Sequence, residues 1–279
     1  MEHYRQISKC RVCHSEQLLQ VLKLNDQYIA STFVRDNKDH SMSNIKIPLT
    51  LMICRKCNLV QLLETVQPDL LYRSYFYRTG INDTMRRDLN DLVNDTMSRV
   101  SVQPEDYVVD IGANDCTMVG MFPDSLNRIA VEPAQNISWD HVDKSIQIVN
   151  DYFSKKAVFQ ATKGEKAKII TATAMFYDLD DPNEATQDIK VLLDESGICT
   201  IQVSHLSATI RDMNFYDIVH EHLEYYSLET LNHLMERNGL SVFDASTNFV
   251  NGGSLRVYIT HQENNRSKSE GYYEILEEE

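Results

Sequence analysis

The sequence YVVDIGANDCT, residues 107–117, is the clearest indication of the fold class of this 279-residue chain. Its residues are apolar almost without interruption as far as Ile111, which predicts a strand buried on both faces of a parallel sheet. Gly112 follows at once, in the position of a tight turn that opens into a helix. A residue without a Cβ lets backbone amides approach a ligand there. We therefore expect an open α/β sheet with a ligand site at the carboxyl end of its first strand.

Six more segments of strand character continue this pattern. The first four are apolar runs separated by helical stretches, which predicts further parallel strands. The last two are joined by a loop too short for a crossover helix, so they should pair antiparallel. The segments are residues 129–134, 146–151, 168–174, 199–204, 240–245 and 255–260. The expected fold is a doubly wound, Rossmann-like α/β sheet of five parallel strands closed by an antiparallel hairpin. That layout is typical of S-adenosylmethionine (AdoMet) methyltransferases.

Three helices are expected around this sheet. Apolar residues recur at helical spacing over residues 85–97. Two more helices are predicted over residues 181–197 and 227–239, because residues that favour helix caps stand at both ends of each.

Acidic residues end three successive predicted strands. Asp110 lies just before the glycine turn, Glu132 ends the next strand and Asp151 ends the third. Negative charge suits an ammonium and a sulfonium better than a pyrophosphate, and the G-x-G-x-x-G dinucleotide fingerprint is absent. Glu132 is expected to accept both ribose hydroxyls and Asp151 the adenine amino group; a solvated strand end or a helix cap is the alternative. The candidate cofactor residues are Asp110, Gly112, Ala113, Asn114, Asp115, Glu132, Pro133 and Asp151.

Two C-x-x-C pairs, Cys10/Cys13 and Cys54/Cys57, stand at the front of the chain. Each pair can offer two thiolates from one turn, and two such turns facing each other form the tetrahedral site that zinc prefers. Four thiolates leave no open position, so this zinc should be structural, in a small N-terminal domain. Redox-active pairs or unrelated buried thiols are the alternatives. Apolar residues alternate over residues 45–53, which predicts one half-buried strand between the pairs.

Composition restricts the function further. The chain is 42% hydrophobic and 24% charged, which is ordinary for a globular enzyme, and its length allows a main domain with a small accessory one. No apolar run approaches the roughly 18 residues of a membrane span, and the N-terminus lacks an export signal. The formal net charge of −14 disfavours contacts with nucleic acid or an anionic membrane. We expect a soluble, cytoplasmic protein that acts on a small molecule; the oligomeric state is left open.

A second candidate site is the triplet His220-Glu221-His222. It is not the H-E-x-x-H zinc motif, because its histidines are two residues apart. We expect one histidine and the glutamate to act as acid–base groups toward a substrate. A second metal site and a purely structural role, with His220 capping the following helix, are the alternatives.

The order of these motifs resembles that of the sugar C-methyltransferase family, whose members methylate nucleotide-linked ketosugars. The resemblance rests on the paired C-x-x-C motifs, YFYRTGIND, DIGANDCT, VEPA, YDIVHEHLEYYS and NGGSLRVY, which together span nearly the whole chain. It implies a zinc-binding domain over residues 1–75 and an AdoMet-dependent methyltransferase domain over residues 76–262. Residues 263–279 would then be a polar tail or the start of a C-terminal domain that the family has and this chain lacks.

The resemblance also implies roles for single residues. His222 is expected to remove a proton next to the ketone, with Glu221 orienting or polarising it. Tyr77 is expected to hydrogen-bond the sugar or the enolate oxygen; ordinary aromatic packing is its alternative. The enolate carbon would then take the methyl group of AdoMet. Two positions depart from the family: Cys116 replaces a glycine and would crowd the turn, and Val219 replaces a tyrosine with a proposed catalytic hydroxyl.

Three other functions are compatible with parts of this pattern. An O- or N-methyltransferase would use the same scaffold with a base that acts on a hydroxyl or an amine. A non-catalytic zinc- and AdoMet-binding module would fit the departures from the family. A nicotinamide oxidoreductase is disfavoured by the missing fingerprint and by the terminal hairpin.

Overall fold

The computed structural model describes residues 3–30 and 45–279. Its N-terminal unit consists of β1 (Tyr4–Gln6), β2 (Leu18–Tyr28), β3 (Lys46–Cys54), β4 (Val60–Leu62), β5 (Glu64–Val66) and α1 (Pro68–Tyr72). Strand β1 pairs with β5, while β2, β3 and β4 form an antiparallel sheet. The strand predicted over residues 45–53 is confirmed by β3, whose residues Ile47, Leu49 and Leu51 are buried.

The main sheet is the doubly wound α/β sheet that the sequence predicts. Its seven strands are β6 (Tyr107–Ile111), β7 (Asn127–Val131), β8 (Ile146–Val149), β9 (Ala167–Thr173), β10 (Leu193–Ser204), β12 (Leu240–Asn248) and β13 (Ser254–His261). The short strand β11 (Glu224–Tyr225) belongs to the N-terminal sheet. The order is β12-β13-β10-β9-β6-β7-β8. The neighbouring strands β10, β9, β6, β7 and β8 are parallel to one another. Strand β13 pairs antiparallel with both β10 and β12. Val108 and Val109 are both fully buried, on opposite faces, as expected for a central strand.

Helices cover both faces of the main sheet. They are α2 (Asp83–Ser98), α3 (Lys155–Ala161), α4 (Pro182–Leu192), α5 (Leu206–Arg211), α6 (Leu228–Arg237) and α7 (Glu270–Glu278). Helix α2 packs on one face, and α3, α4 and α6 pack on the other. Within the described ranges, no helix is long and apolar enough to cross a membrane.

The helix predicted over residues 181–197 is confirmed at its start by α4, but it ends early, at Leu192, so its predicted end at Gly197 is wrong. Leu193 already pairs with β9 as the first residue of β10. The carboxylate of Asp194 accepts a hydrogen bond from Nζ of Lys168 at 3.0 Å, which ties the following residues to the neighbouring strand. The glycine that looked like a helix stop therefore lies inside an irregular strand pairing.

Residues 263–279, expected as a polar tail or as the start of a further domain, contain helix α7, which packs against β12. The carboxylate of Glu279 accepts the backbone amides of Leu228 and Glu229 at 2.6 and 3.1 Å. These amides belong to the first turn of α6, where a negative charge is favourable. The segment is therefore a packed part of the described structure.

A strand from the later part of the chain completes the N-terminal sheet. Strand β11 pairs antiparallel with β4 and becomes the edge strand of the N-terminal sheet. Just before β11, Nε2 of His220 donates to the backbone oxygen of Ile47 at 3.1 Å. The amide of Leu62 donates to the oxygen of Leu223 at 2.9 Å. The segment that carries both histidines thus lies where the two units join.

Candidate functional site

The four front cysteines lie together, as the sequence predicts. The Sγ atoms of Cys10 and Cys57 are 3.6 Å apart, those of Cys13 and Cys54 are 3.4 Å apart, and all four lie within 4.8 Å of one another. A tetrahedral zinc with Zn–S bonds of about 2.3 Å requires Sγ separations of roughly 3.8 Å. The donor set therefore fits zinc, and four thiolates would fill its coordination shell.

The turn between the first two cysteines is anchored to both units. The buried guanidinium of Arg11 donates to the backbone oxygen of Leu62 at 2.6 Å and to the hydroxyl of Thr65 at 2.7 Å. Its Nε lies 3.6 Å from a carboxylate oxygen of Glu224. Nδ2 of Asn183, on α4, donates to the backbone oxygen of Arg11 at 2.7 Å. The zinc turn is thus bound directly to the segment that follows the two histidines.

A cavity of about 590 Å³ opens at the carboxyl ends of the parallel strands. Its walls come from the turns after β6, β7 and β9, from the loop before α2, and from the segment before β11. The predicted site residues that line it are Tyr77, Asp110, Gly112, Ala113, Asn114, Glu132, Pro133 and His222. Three others, Asp115, Asp151 and Glu221, are not among its lining residues in the described structure.

The turn after β6 requires its glycine. Gly112 has φ +72°, and a Cβ there would lie 2.8 Å from Cγ of Met175. Cys116 also takes a left-handed conformation, with φ 64°, but its side chain is buried beside Val119 and Ile146. The crowding expected from this cysteine is therefore not seen at the cavity, where the glycine backbone stays open to a ligand.

Two carboxylates on this wall are held by short polar contacts. The two oxygens of Glu132 each accept one backbone amide at 2.8 Å, from Asn114 and from Ala134, and keep further lone pairs for hydroxyl donors. Asp110 accepts the hydroxyl of Thr171 at 2.8 Å. Burial raises the pKa of Glu132 above its ordinary range, and it raises the pKa of Asp110 to about 7.

The other two predicted cofactor acids point elsewhere. Asp115 accepts the backbone amide of Gly80 at 2.8 Å and the hydroxyl of Thr117 at 2.6 Å, which ties the loop before α2 to the glycine turn. The exposed carboxylate of Asp151 lies 3.6 Å from the guanidinium of Arg73. Their roles toward a cofactor stay predictions.

His222 enters the cavity with one ring nitrogen already bound. Its Nδ1 lies 3.0 Å from the backbone oxygen of Asp217 and 3.3 Å from a carboxylate oxygen of the same residue. A carbonyl oxygen can only accept, so Nδ1 carries the proton and Nε2 of the neutral ring keeps its lone pair. The ring of Tyr177 packs edge-on against the imidazole, with centroids 4.4 Å apart. This arrangement suits a general base.

Glu221 is placed differently from the prediction. Its side chain is 5% exposed, and neither carboxylate oxygen has a hydrogen-bond partner among the described residues. Its backbone oxygen accepts the hydroxyl of Tyr72 at 3.2 Å. The contact that orients His222 comes from Asp217, which the sequence analysis missed.

Tyr77 lines the cavity from the loop before α2. Its backbone oxygen accepts a hydrogen bond from Nδ2 of Asn114 at 3.1 Å, which links this loop to the glycine turn. Burial, followed by the charge of Asp115, raises the pKa of the Tyr77 phenol. The hydroxyl is therefore a neutral hydrogen-bond donor at neutral pH.

A repeated tripeptide marks the residues that the sequence analysis missed. The sequence Phe-Tyr-Asp occurs at residues 176–178 and 215–217, each time as a 3₁₀ turn. The aspartates of both copies, Asp178 and Asp217, line the cavity. The repeat is visible in the sequence, where one copy follows a buried strand and the other precedes the histidine triplet.

Comparisons with known proteins match the two units separately. A family model described as a methyltransferase domain matches residues 82–245, which is more than half of the chain. The chain belongs to this methyltransferase-domain family. A second model, of a zinc binding domain, matches residues 10–72 and so contains all four cysteines.

Individual relatives agree with this assignment. The C-methyltransferase NovU of Streptomyces niveus is 27% identical over 277 residues, which are 99% of this chain and 66% of the relative. The chain thus spans just under two thirds of the length of that protein. The plantazolicin methyltransferase BamL, crystallised with a triazolic desmethylPZN analog and SAH, superposes with a TM-score of 0.51 at 11% identity. That match covers 64% of this chain and 86% of BamL, and it supports the fold.

The family and the geometry together define the cofactors. The main sheet with its cavity is an AdoMet-dependent methyltransferase domain. The four cysteines of the N-terminal unit form its structural zinc site.

Proposed function

We propose that the chain methylates a carbon atom next to the carbonyl group of a nucleotide-linked ketosugar. The observation that carries this proposal is the position of His222, which lines the cavity with Nδ1 bound to Asp217. Its Nε2 lone pair is free to take a proton from an acceptor in the same cavity. A carbon acceptor needs this step, because it must become an enolate before it can take a methyl group.

The wall around the glycine turn would hold AdoMet, which supplies an electrophilic methyl group when bound. Glu132 can accept the ribose hydroxyls, since one amide occupies each of its oxygens and lone pairs remain. Gly112 keeps the turn open for the amino-acid part of the cofactor. Asp110 offers a carboxylate on the same wall for an ammonium group.

A second group of cavity residues would act on the methyl acceptor. Asp217 fixes the tautomer and the direction of the His222 ring, so that Nε2 is the basic atom. Tyr77 offers a neutral hydroxyl that can donate to the sugar or to the enolate oxygen. General-base assistance contributes about 10² to 10⁴ in rate, and positioning of the reactants adds to it.

Two lines of support favour a carbon acceptor on a nucleotide sugar. NovU carries the name C-methyltransferase, and its similarity covers 99% of this chain. The motifs that resemble sugar C-methyltransferases occur in the same order along the whole sequence.

Among the described residues that line the cavity there is no lysine or arginine. The diphosphate would therefore lie outside the cavity, with the ketosugar ring inside it.

Transfer of a labelled methyl group to a panel of nucleotide ketosugars tests this proposal. We expect one member to be labelled, with the new methyl group on a carbon next to the ketone in the product NMR spectrum. His141→Asn, which changes an exposed histidine outside the cavity, is a matched control and should retain activity. Label on an oxygen or a nitrogen would replace the proposal with an O- or N-methyltransferase. Tight AdoMet binding without transfer to any acceptor would favour a non-catalytic module.

A further inference from the structure

Asp178 shares a wall of the cavity with His222. It ends the 3₁₀ turn of residues 176–178, which follows β9, and it lines the cavity. The preceding residue, Tyr177, packs its ring against the imidazole of His222. The backbone oxygen of Tyr177 also accepts the amide of Leu223 at 2.8 Å. The backbone that carries Asp178 is therefore fixed to the backbone that carries the proposed base.

The carboxyl group of Asp178 has acidic and aromatic neighbours. Its Oδ1 atom is buried, and no hydrogen-bond partner reaches it among the described residues. The titratable groups that face it are carboxylates and phenols. They come from α1 and the following loop, from the two Phe-Tyr-Asp turns, and from β11 with the segment before it: Tyr72, Tyr75, Tyr177, Asp217, Glu221, Glu224 and Tyr225. None of these neighbours is a cation that could balance a charge on Asp178.

An ionised carboxylate is unfavourable in such a place. Burial raises the pKa of Asp178 well above its ordinary range, and the charges of Glu221, Glu224 and Asp217 raise it further. A protonated carboxyl is a strong hydrogen-bond donor in a site with little water, as a neutral aspartic acid in an apolar oxyanion hole illustrates.

We propose that Asp178 is a neutral carboxylic acid in the resting protein and donates a hydrogen bond to the carbonyl oxygen of the methyl acceptor. This inference rests on the proposed function for the nature of the acceptor. Its structural basis is the unpartnered buried oxygen, the cavity position and the rigid link to His222.

The proton balance of the step is complete within the site. The C–H bond next to the carbonyl breaks, and its proton passes to Nε2 of His222. The electron pair of that bond forms a C=C bond, while the π pair of the carbonyl moves to its oxygen. That oxygen accepts a hydrogen bond from the Asp178 carboxyl, which keeps its proton until the enolate carbon takes the methyl group and the C=O bond forms again. His222 then releases its proton to solvent, and no oxidant or reductant is needed.

The protonation state can be measured without any substrate. In the full chain labelled with ¹³C at the aspartate carboxyls, the resonance lost in Asp178→Asn identifies Asp178. We expect its chemical shift at pH 7 to be that of a neutral acid. Asp194 serves as the ionised reference: although burial raises its pKa, hydrogen bonds from Ser196 and Lys168 lower it to about 2. An ionised Asp178 at pH 7 overturns the inference.

Two variants test the donor role. Asp178→Asn keeps a neutral donor and should retain kcat within about tenfold, whereas Asp178→Ala removes the donor and should lose about 10²- to 10³-fold. Because the active form is protonated, wild-type kcat should fall as pH rises through the raised pKa of Asp178, and Asp178→Asn should lack that fall. Equal loss in both variants with unchanged AdoMet affinity overturns the donor role and points to a cationic acceptor group. If the wild-type protein methylates no ketosugar, the proposed function fails separately, and the carbon resonance still decides whether Asp178 is neutral.

Discussion

The two walls of the cavity are built in different ways. The cofactor wall consists of residues at the ends of neighbouring strands, and these residues contact one another within the main sheet. Glu132 accepts the amide of Asn114, and Asp110 accepts the hydroxyl of Thr171 on the adjacent strand. The catalytic wall, formed by Asp217 and His222, belongs to a segment that is held by contacts across the whole chain. One of them joins His220 to Ile47, which are 173 positions apart. The cofactor wall should therefore survive changes in the N-terminal unit that disable the catalytic wall.

Loss of zinc should have the largest effect, and it tests whether the cofactor wall is independent of the catalytic wall. Structural zinc contributes about 10 to 16 kcal/mol to the folding of small zinc domains. Cys54→Ser should abolish stoichiometric zinc and the ordered structure of the N-terminal sheet, and turnover should fall below detection. AdoMet binding should persist, because Gly112 and Glu132 belong to the main sheet.

Metal analysis and calorimetric titration with AdoMet measure the two outcomes in the same sample. Cys199→Ala is the matched control, since Cys199 lies in β10 and outside the metal cluster. It should retain zinc and turnover. Loss of AdoMet binding together with zinc would show that the two walls are not separable.

The next effect in size comes from the base itself. His222→Asn keeps a similar shape but cannot accept the proton, so kcat should fall by about 10² to 10⁴. AdoMet affinity should stay the same, because the imidazole belongs to the catalytic wall. Single-turnover methyl transfer and calorimetry provide the measurements, with His141→Asn as the control. A parallel loss of AdoMet affinity would place His222 at the cofactor instead.

Glu132→Ala should weaken AdoMet binding, in contrast to His222→Asn, and its effect should be smaller. Removing a charge-assisted acceptor for the ribose should weaken AdoMet binding by about 1.5 to 3 kcal/mol. The exposed Glu165→Ala is the matched control and should bind AdoMet as the wild type does. Calorimetry decides the outcome, and unchanged affinity in Glu132→Ala would remove this residue from the cofactor site.

The smallest expected effect concerns a single hydrogen bond that supports the catalytic wall. Tyr72→Phe removes the bond from the phenol to the backbone oxygen of Glu221, a contact worth about 0.5 to 1.5 kcal/mol. We expect kcat to fall by up to about tenfold while AdoMet affinity stays within about twofold. Tyr273→Phe, at a half-exposed site on α7, should change neither quantity. A larger effect on AdoMet affinity than on kcat would contradict the assignment of Tyr72 to the catalytic wall.

The difference between the cofactor wall and the catalytic wall also explains which site residues the sequence could predict. The cofactor wall follows from local signals, because the carboxyl ends of parallel strands meet at one edge of a sheet. Asp110, Gly112 and Glu132 each stand directly at such an end, and the structure brings all three to the cavity. The four cysteines were equally predictable, since zinc ligation restricts both residue type and spacing.

The catalytic wall depends on tertiary contacts that leave little trace in the sequence. The partner of His222 is Asp217, not the adjacent Glu221, because a 3₁₀ turn at residues 215–217 folds the aspartate back onto the ring. The pairing of β11 with β4 joins segments that are far apart in the chain, and no local propensity predicts it. The early end of α4 has a similar cause, since strand pairing outweighs a glycine stop signal at Gly197.

Exchange of the proton next to the ketone shows whether His222 acts as a base on a carbon acceptor. The nucleotide ketosugar that accepts the methyl group is incubated with the protein in deuterated water without AdoMet, and deuterium uptake at that carbon is followed by NMR. We expect exchange with the wild type and with His141→Asn, and exchange at the uncatalysed rate with His222→Asn. Exchange at the wild-type rate in His222→Asn would show that the base lies elsewhere in the cavity.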